Sequence, residues 1–225
     1  MLPAADPDLL FDPAFAAAIL PLLLDAALVT VGATFAAFAL AAVLALPLAL
    51  AAGAAPAALF LPARALGLAI RGTPILVQLY FVYFSLPLLG VVLPALLAGV
   101  LVLGVHYAAY LAEVYRAGLA SVGKGVREAA LALGLRPMQA FRLVVVPLAL
   151  RAALPAAGNL LIALFKETPV LSAVAILELM QTAKLLGSET FRYTEPLTLV
   201  GVIFLALSLG SSALLRRLEA RLARG

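Results

Sequence analysis

GTPILVQLYFVYFSLPLLGVVLPALLAGVLVLGVHYAAYLA, residues 72–112, holds no aspartate, glutamate, lysine or arginine. At 41 residues it is about twice the roughly 20 apolar residues that one helical crossing of a bilayer needs. Pro87, Gly90 and Pro94 fall near its middle and mark a turn. The stretch therefore reads as two spans joined by a short connection. Its apolar residues are rich in Ala and Leu rather than β-branched types and show no alternation of period two, so strands are not expected.

Outward from this stretch the same pattern repeats. Residues 26–63 and 196–215 carry no charge, and 152–165 form a shorter clean run. The run 26–63 predicts one long helix, bent or ended near Pro47, and then a link punctuated by Gly53, Pro56 and Pro62. Five spans result, at about 17–50, 66–86, 92–117, 150–175 and 196–216, giving an all-α membrane protein with a transmembrane domain over 17–220. Residues 1–16 read as a short external segment. They contain Asp6, Asp8 and Asp12 and lack the positive stretch of a signal peptide. Residues 221–225 read as a tail.

Composition agrees. Of 225 residues 66% are hydrophobic and 12% charged, with mean hydropathy +1.18, against about 45–50% and 25% in soluble domains. That excludes an ordinary soluble enzyme, a disordered tail and a nucleic-acid-binding domain. The absence of cysteine excludes disulfides, thiolate zinc sites and iron–sulfur clusters, and the single histidine, His106, excludes a multi-histidine metal site.

Lys and Arg set the orientation. With the C-terminus inside, the inner segments hold Arg64, Arg71, Arg116, Lys124, Arg127, Arg136, Arg142, Arg151, Arg216, Arg217, Arg221 and Arg224, twelve of the fifteen basic residues. Lys166, Lys184 and Arg192 are left for the outer half. The N-terminus is thus expected outside and the C-terminus in the cytoplasm. The net charge of +4 then reflects topology and needs no anionic partner.

One inner loop is too long for a plain connector. Residues 118–149 read GLASVGKGVREAALALGLRPMQAFRLVVVPLA. Val126, Ala129, Ala130 and Leu133 fall at i, i+3, i+4 and i+7, the spacing of a short amphipathic helix. Gly134 sits where a helix end favours a left-handed residue, and Pro137 suits the first turn of a second helix while biasing Arg136 away from helical geometry. Physics alone leaves two uses for such a helix–turn–helix: seating in a groove of another protein, or lying on an anionic bilayer surface.

Glu128-Ala129-Ala130, Gly134 four residues on, and then Val144, Val146 and Pro147 resemble the EAA motif of ABC-importer permeases, E-A-A-x3-G-x9-I-x-L-P, with valines in place of the Ile and Leu. RGTPILVQLYFVYFSLP (71–87) and HYAAYLAEVYRAGL (106–119) are similar to the second and third spans of the polar-amino-acid branch of that family. The resemblance covers about 17 to 220 and implies a MetI-like transmembrane domain, the membrane half of a type I ABC importer. It further implies that Glu128, Ala129, Ala130, Gly134 and Pro147 couple the chain to a cytoplasmic ATP-binding subunit. The other implied partners are a second permease subunit, identical or homologous, and an extracytoplasmic solute-binding protein. LFKETPVLSAVAILELM (164–180) and GSETFRYTEPLTLVG (187–201) resemble ectoine and hydroxyectoine permeases more than general amino-acid ones. Ectoine is therefore the expected solute, with a polar amino acid such as glutamine, arginine or histidine as the alternative.

Polar residues inside spans are costly and face a cavity or a partner. Gln78, Tyr83, Tyr110, Asn159, Lys166, Glu167 and Thr168 are the candidates for a translocation path. Thr168-Pro169 should break the fourth helix beside Lys166 and Glu167, whose opposite charges suit a zwitterion. The competing reading makes these charges a structural pin. Glu113 is expected to pair with Arg116 one turn on. Tyr80 and Tyr107 read as interface anchors, and His106 as a satisfied helix residue. Thr73 reads as a helix cap ahead of Pro74, and Gly32, Ala36, Ala37, Gly99, Gly104 and Gly158 as close-packing positions.

A stand-alone secondary transporter would need an internal repeat or a chain of intramembrane carboxylates, and a membrane enzyme would need convergent catalytic groups. The sequence offers neither. It also lacks a phosphate-binding Gly-rich loop ending in Lys-Ser/Thr. ATP and magnesium are therefore expected on the partner ATPase and no cofactor on this chain.

Overall fold

The structure is a computed structural model that describes residues 10–52 and 57–222. Within them the chain is helical throughout: α1 (Pro13–Ala52), α2 (Ala57–Gly72), α3 (Ile75–Tyr80), α4 (Ala95–Ser121), α5 (Lys124–Ala132), α6 (Pro137–Ala140), α7 (Val146–Glu167), α8 (Leu179–Thr190) and α9 (Thr194–Leu222). Four helical runs among the described residues are long and apolar enough to cross a membrane, at 13–51, 95–121, 137–174 and 194–221. A sharply bent pair, 60–72 with 75–89, adds a fifth when counted as one broken span. This is the expected count, and the second span, expected at about 66–86, is broken at Thr73-Pro74.

Several boundaries differ from expectation for physical reasons. α1 begins at Pro13 rather than near 17, because the Asp12 carboxylate caps it, accepting from the Ala14 N–H (2.8 Å) and the Phe15 N–H (3.2 Å). It runs through Pro47 to Ala52 without ending there. Pro62 lies inside α2 and not in a link. Gly53, Pro56, Asp6, Asp8 and residues 223–225 lie outside the described residues. The turn of the 72–112 stretch falls where Pro87, Gly90 and Pro94 placed it. Gly90 has φ +83° after a 3-10 turn over Leu86–Leu89, and the Pro94 carbonyl accepts the Ala98 N–H at the start of α4 (2.9 Å).

Two prolines are absorbed rather than obeyed. Pro87 and Pro147 each follow a π-turn, over Phe81–Ser85 and Phe141–Val145 respectively. Proline cannot donate to the carbonyl four residues back and crowds it, and one wide turn relieves both problems without ending the helix. As a result α6, the second π-turn and α7 form one apolar run. The connection between the third and fourth spans is therefore 122–136, against the 118–149 expected.

The chain divides into two compact units. One comprises Met1–Ala37, Pro74–Leu103 and Ile162–Ser211, and the other Phe38–Thr73, Gly104–Leu161 and Ser212–Gly225. In the first, Phe15, Ile19, Leu23 and Ala27 recur every fourth residue of α1 and pack against Leu179, Ala183 and Leu186 of α8 and Val200 of α9. Gly99 approaches Leu171 too closely for a side chain. In the second, Val122, Val145 and Ala149 form a small core with Leu119 and Phe141.

α4 crosses α7 at Gly118, where an added Cβ would lie 2.7 Å from the Ala149 carbonyl oxygen and 3.0 Å from the Ala153 Cβ. A backbone atom cannot step aside as a flexible side chain can. Gly118→Ala is expected to lower stability in detergent by about 1–3 kcal/mol, the cost of overpacking. Gly201→Ala, with nothing within 4 Å of the new methyl, should be neutral or slightly stabilising. Paired thermal melts check both.

Candidate functional site

α5 and α6 form the helix–turn–helix that the spacing predicted. α5 ends on Gly134 at φ +84°. The Leu135 N–H reaches back to the Ala130 carbonyl (3.3 Å) and the Gly134 N–H to the Leu131 carbonyl (2.9 Å), the paired bonds of a Schellman turn. Arg136 is extended (ψ 153°), Pro137 opens α6, and the Gln139 side-chain oxygen accepts the Arg136 N–H (2.9 Å). Arg127 donates to the Leu119 carbonyl (3.2 Å), tying α5 to the end of α4.

The amphipathic stripe is mostly uncovered, which fits both uses its spacing left open. Ala130 alone on α5 is buried, while Leu133 is 84% and Leu131 46% exposed, with Met138 of α6 64% exposed. Glu128, Ala129, Gly134 and Pro147 are exposed as well. Beneath, a cavity of about 210 Å³ is lined by Arg127, Leu131, Pro137, Ala140, Phe141 and Val145. The result is an apolar face held in a defined shape and left uncovered among the described residues.

The path candidates are spread across both units. Gln78, Tyr83, Lys166, Glu167 and Thr168 belong to the first, Tyr110 and Asn159 to the second. α7 ends at Glu167 and a 3-10 turn follows over Thr168–Val174, so the break at Thr168-Pro169 occurs as expected. Lys166 and Glu167 are exposed, and neither joins an ion pair among the described residues. Thr168 is buried and its hydroxyl donates to the Phe165 carbonyl (2.6 Å), so its polar atom serves the helix end. Gln78 and Tyr83 are half-buried, with the Tyr83 ring edge-on to Phe84 at 5.0 Å. Asn159 is exposed. Tyr110 lies against the buried His106, centroids 5.4 Å apart.

Glu113 binds Arg116, with the Nε donor at 2.8 Å, as one-turn spacing predicts. It also meets Arg71 at 3.4 Å, and Arg71 donates to the Ala109 carbonyl (2.9 Å). Arg71 and Glu113 flank the charge-free run 72–112, so their contact brings its two ends together, as an out-and-back crossing requires. Thr73 is not the cap of α3. Its hydroxyl donates to the Ala69 carbonyl (2.8 Å), and the N-cap position is Pro74.

Two buried acidic residues escaped the sequence reading. Glu178, fully buried, caps α8 by accepting the Met180 N–H (3.0 Å) and the Gln181 N–H (2.8 Å). Thr30 of α1 accepts the Leu179 N–H (3.1 Å) beside it. Burial pushes the Glu178 carboxyl above the usual range. Glu195 is likewise buried, pairs with Arg192, and accepts the Asp12 N–H (2.8 Å).

A model of the family described as "Binding-protein-dependent transport system inner membrane component" matches residues 45–224. The chain belongs to that family. The permease is 43% identical over 209 residues to the probable amino-acid ABC transporter permease protein y4tG of Sinorhizobium fredii, a match covering 93% of this chain and 90% of the relative. It is 39% identical over 155 residues to the glutamine transport system permease protein GlnP of Escherichia coli, covering 68% and 71%. The crystal structure of an amino acid ABC transporter with histidines matches with TM-score 0.88 and 34% identity over 95% of this chain and 100% of that one. An inward-facing MetNI methionine ABC transporter matches with TM-score 0.77 and 25% identity, covering 91% and 97%. The permease is thus a multi-pass ABC-importer subunit of MetI-like fold, a transport component rather than an enzyme. Its architecture implies an ATPase partner and a binding protein.

Proposed function

We propose that the permease forms, with a second identical or homologous permease, the path for a small polar amino acid, and that α5–Gly134–α6 seats in a groove of the ATPase. The uncovered apolar face of that helix–turn–helix carries the coupling role. Leu133 and Met138 would expose their side chains to water without a partner. Glu128 is exposed on the same helix, and ATP and magnesium are held by the ATPase. Binding at the outer side delivers solute, and ATPase closure beneath drives alternating access through the 124–147 segment.

The substrate reading moves from ectoine to an amino acid because the similar permeases named above serve amino-acid systems. Lys166 and Glu167, exposed at the broken end of α7, would meet a zwitterion's carboxylate and ammonium. Calorimetry on the cognate binding protein, with glutamine, arginine, histidine and ectoine, tests this. Micromolar binding of an amino acid without ectoine binding is expected, and the reverse would overturn the assignment.

The N-terminus outside and C-terminus in the cytoplasm follow from the basic inner segments. The Arg71–Glu113 contact supports an even number of crossings between residues 71 and 113. Single cysteines at Gly123 and Ser188, both exposed, should label from opposite sides of the membrane. Labelling from one side would sink this topology.

A further inference from the structure

The second unit carries a basic cluster that transport leaves unexplained. Arg64 and Arg71 of α2 and Arg116 of α4 line one small pocket with a single carboxylate, Glu113. The rest of its wall is apolar, from Leu48, Ala63, Gly67, Ala109 and Ala112. Glu113 is shared, receiving Arg116 through one oxygen (2.7 Å) and Arg71 through the other (3.4 Å). Arg64 has no carboxylate partner among the described residues. Its guanidinium lies 5.1 Å from the Phe60 ring centroid. Three guanidinium groups against one carboxylate leave two positive charges in excess beside apolar walls.

We propose that this cluster binds the phosphate of an anionic phospholipid, whose headgroup reaches it along the exposed Arg64 and Arg116 side chains. A guanidinium presents its donors as a planar fork that suits phosphate oxygens, and basic pockets between membrane helices hold acidic headgroups. The lipid is favoured over a free anion by what surrounds the arginines. Leu61, Leu66 and Leu68 of α2 are each more than half exposed on the same short helix as Arg64, a surface suited to acyl chains rather than water. Gly67, buried against this pocket, leaves room for Arg71. A Cβ there would already touch Arg71 Nη1 at 3.6 Å. The floor holds little more than one water-sized atom, so the phosphate would insert a single oxygen and keep its glycerol end in the membrane. The placement at the inner leaflet rests on the proposed topology.

The test uses the permease with its ATPase, reconstituted in nanodiscs of phosphatidylcholine with or without phosphatidylglycerol. Native mass spectrometry reads retained lipid, and thermal melting reads stability. Wild type should retain phosphatidylglycerol selectively and melt higher with it. Arg64→Gln and Arg116→Gln should each lower retention about fivefold, the magnitude for one basic residue at an anionic surface. Arg64→Gln removes no ion pair among the described residues, so it separates binding from folding. Millimolar inorganic phosphate added to phosphatidylcholine discs should not reproduce the stabilisation. Equal retention of the two lipids, unchanged retention in both variants, or full stabilisation by phosphate would each overturn the proposal. Loss of ATPase copurification with retention intact would instead count against the transport reading.

Discussion

Gly134→Val should leave the protein in the membrane and abolish most uptake. Gly134 has φ +84°, and nothing lies within 4 Å of where its Cβ would be. The substitution therefore meets no clash, and its whole cost is conformational. A β-branched residue in the left-handed region costs about 1–2 kcal/mol or more, which disfavours the native turn roughly tenfold or more. What that turn fixes is the angle of α5 through two backbone bonds, from Leu135 to Ala130 and from Gly134 to Leu131. α5 is otherwise held lightly, with Ala130 its only buried residue, so little resists its swinging away. The ATPase should copurify about tenfold less well, and uptake should fall in step. Gly134→Asn, which tolerates this backbone region, should retain much of both. Normal ATPase retention and uptake in Gly134→Val would remove the coupling role from this loop.

What was legible in the sequence was legible for local reasons. Residues 72–112 had to be helical because backbone groups in lipid must bond within their own segment, and the 41-residue length forced two crossings. Gly134, Pro137 and the Glu113–Arg116 pair were readable because each depends on neighbours within a turn. The connection was drawn over 118–149 because the sequence does not show that a π-turn over Phe141–Val145 carries the helix on through Pro147. Pro62, read as part of a link, lies inside α2. The translocation candidates were chosen by chemistry alone. Thr168 turns its hydroxyl onto Phe165, while Lys166 and Glu167 stay exposed at the helix end. The contacts that tie distant segments left no local trace: Thr30 meets Glu178 across 148 residues, and Asp12 meets Glu195 across 183.

Glu178→Ala should produce a large loss of stability. The carboxylate is fully buried and accepts two backbone donors at the start of α8, the Met180 and Gln181 N–H groups. Alanine would leave both without this partner in a partly buried setting, costing about 1–3 kcal/mol from the lost cap and the unsatisfied donors. The damage should spread beyond α8. Leu179, next to Glu178, donates to Thr30 and packs on Phe15, Ile19 and Leu23 of α1, so a frayed α8 loosens the contact between the two helices. Glu178→Gln keeps one acceptor and should lose less. The two carboxyl states also differ in sign with pH. Burial raises the Glu178 carboxyl above its ordinary range, so the folded state binds its proton more tightly than the unfolded chain does. That advantage is complete at pH below the ordinary carboxylate value and fades as pH rises through the folded one. Wild type should therefore gain stability relative to Glu178→Gln as the medium is acidified, and lose that margin toward neutral pH. Thermal melts of the three proteins across this range measure it. A margin that does not change with pH would show that folding leaves the Glu178 carboxyl at its unfolded value, while an unchanged melt in Glu178→Ala would show that α8 does not depend on its cap.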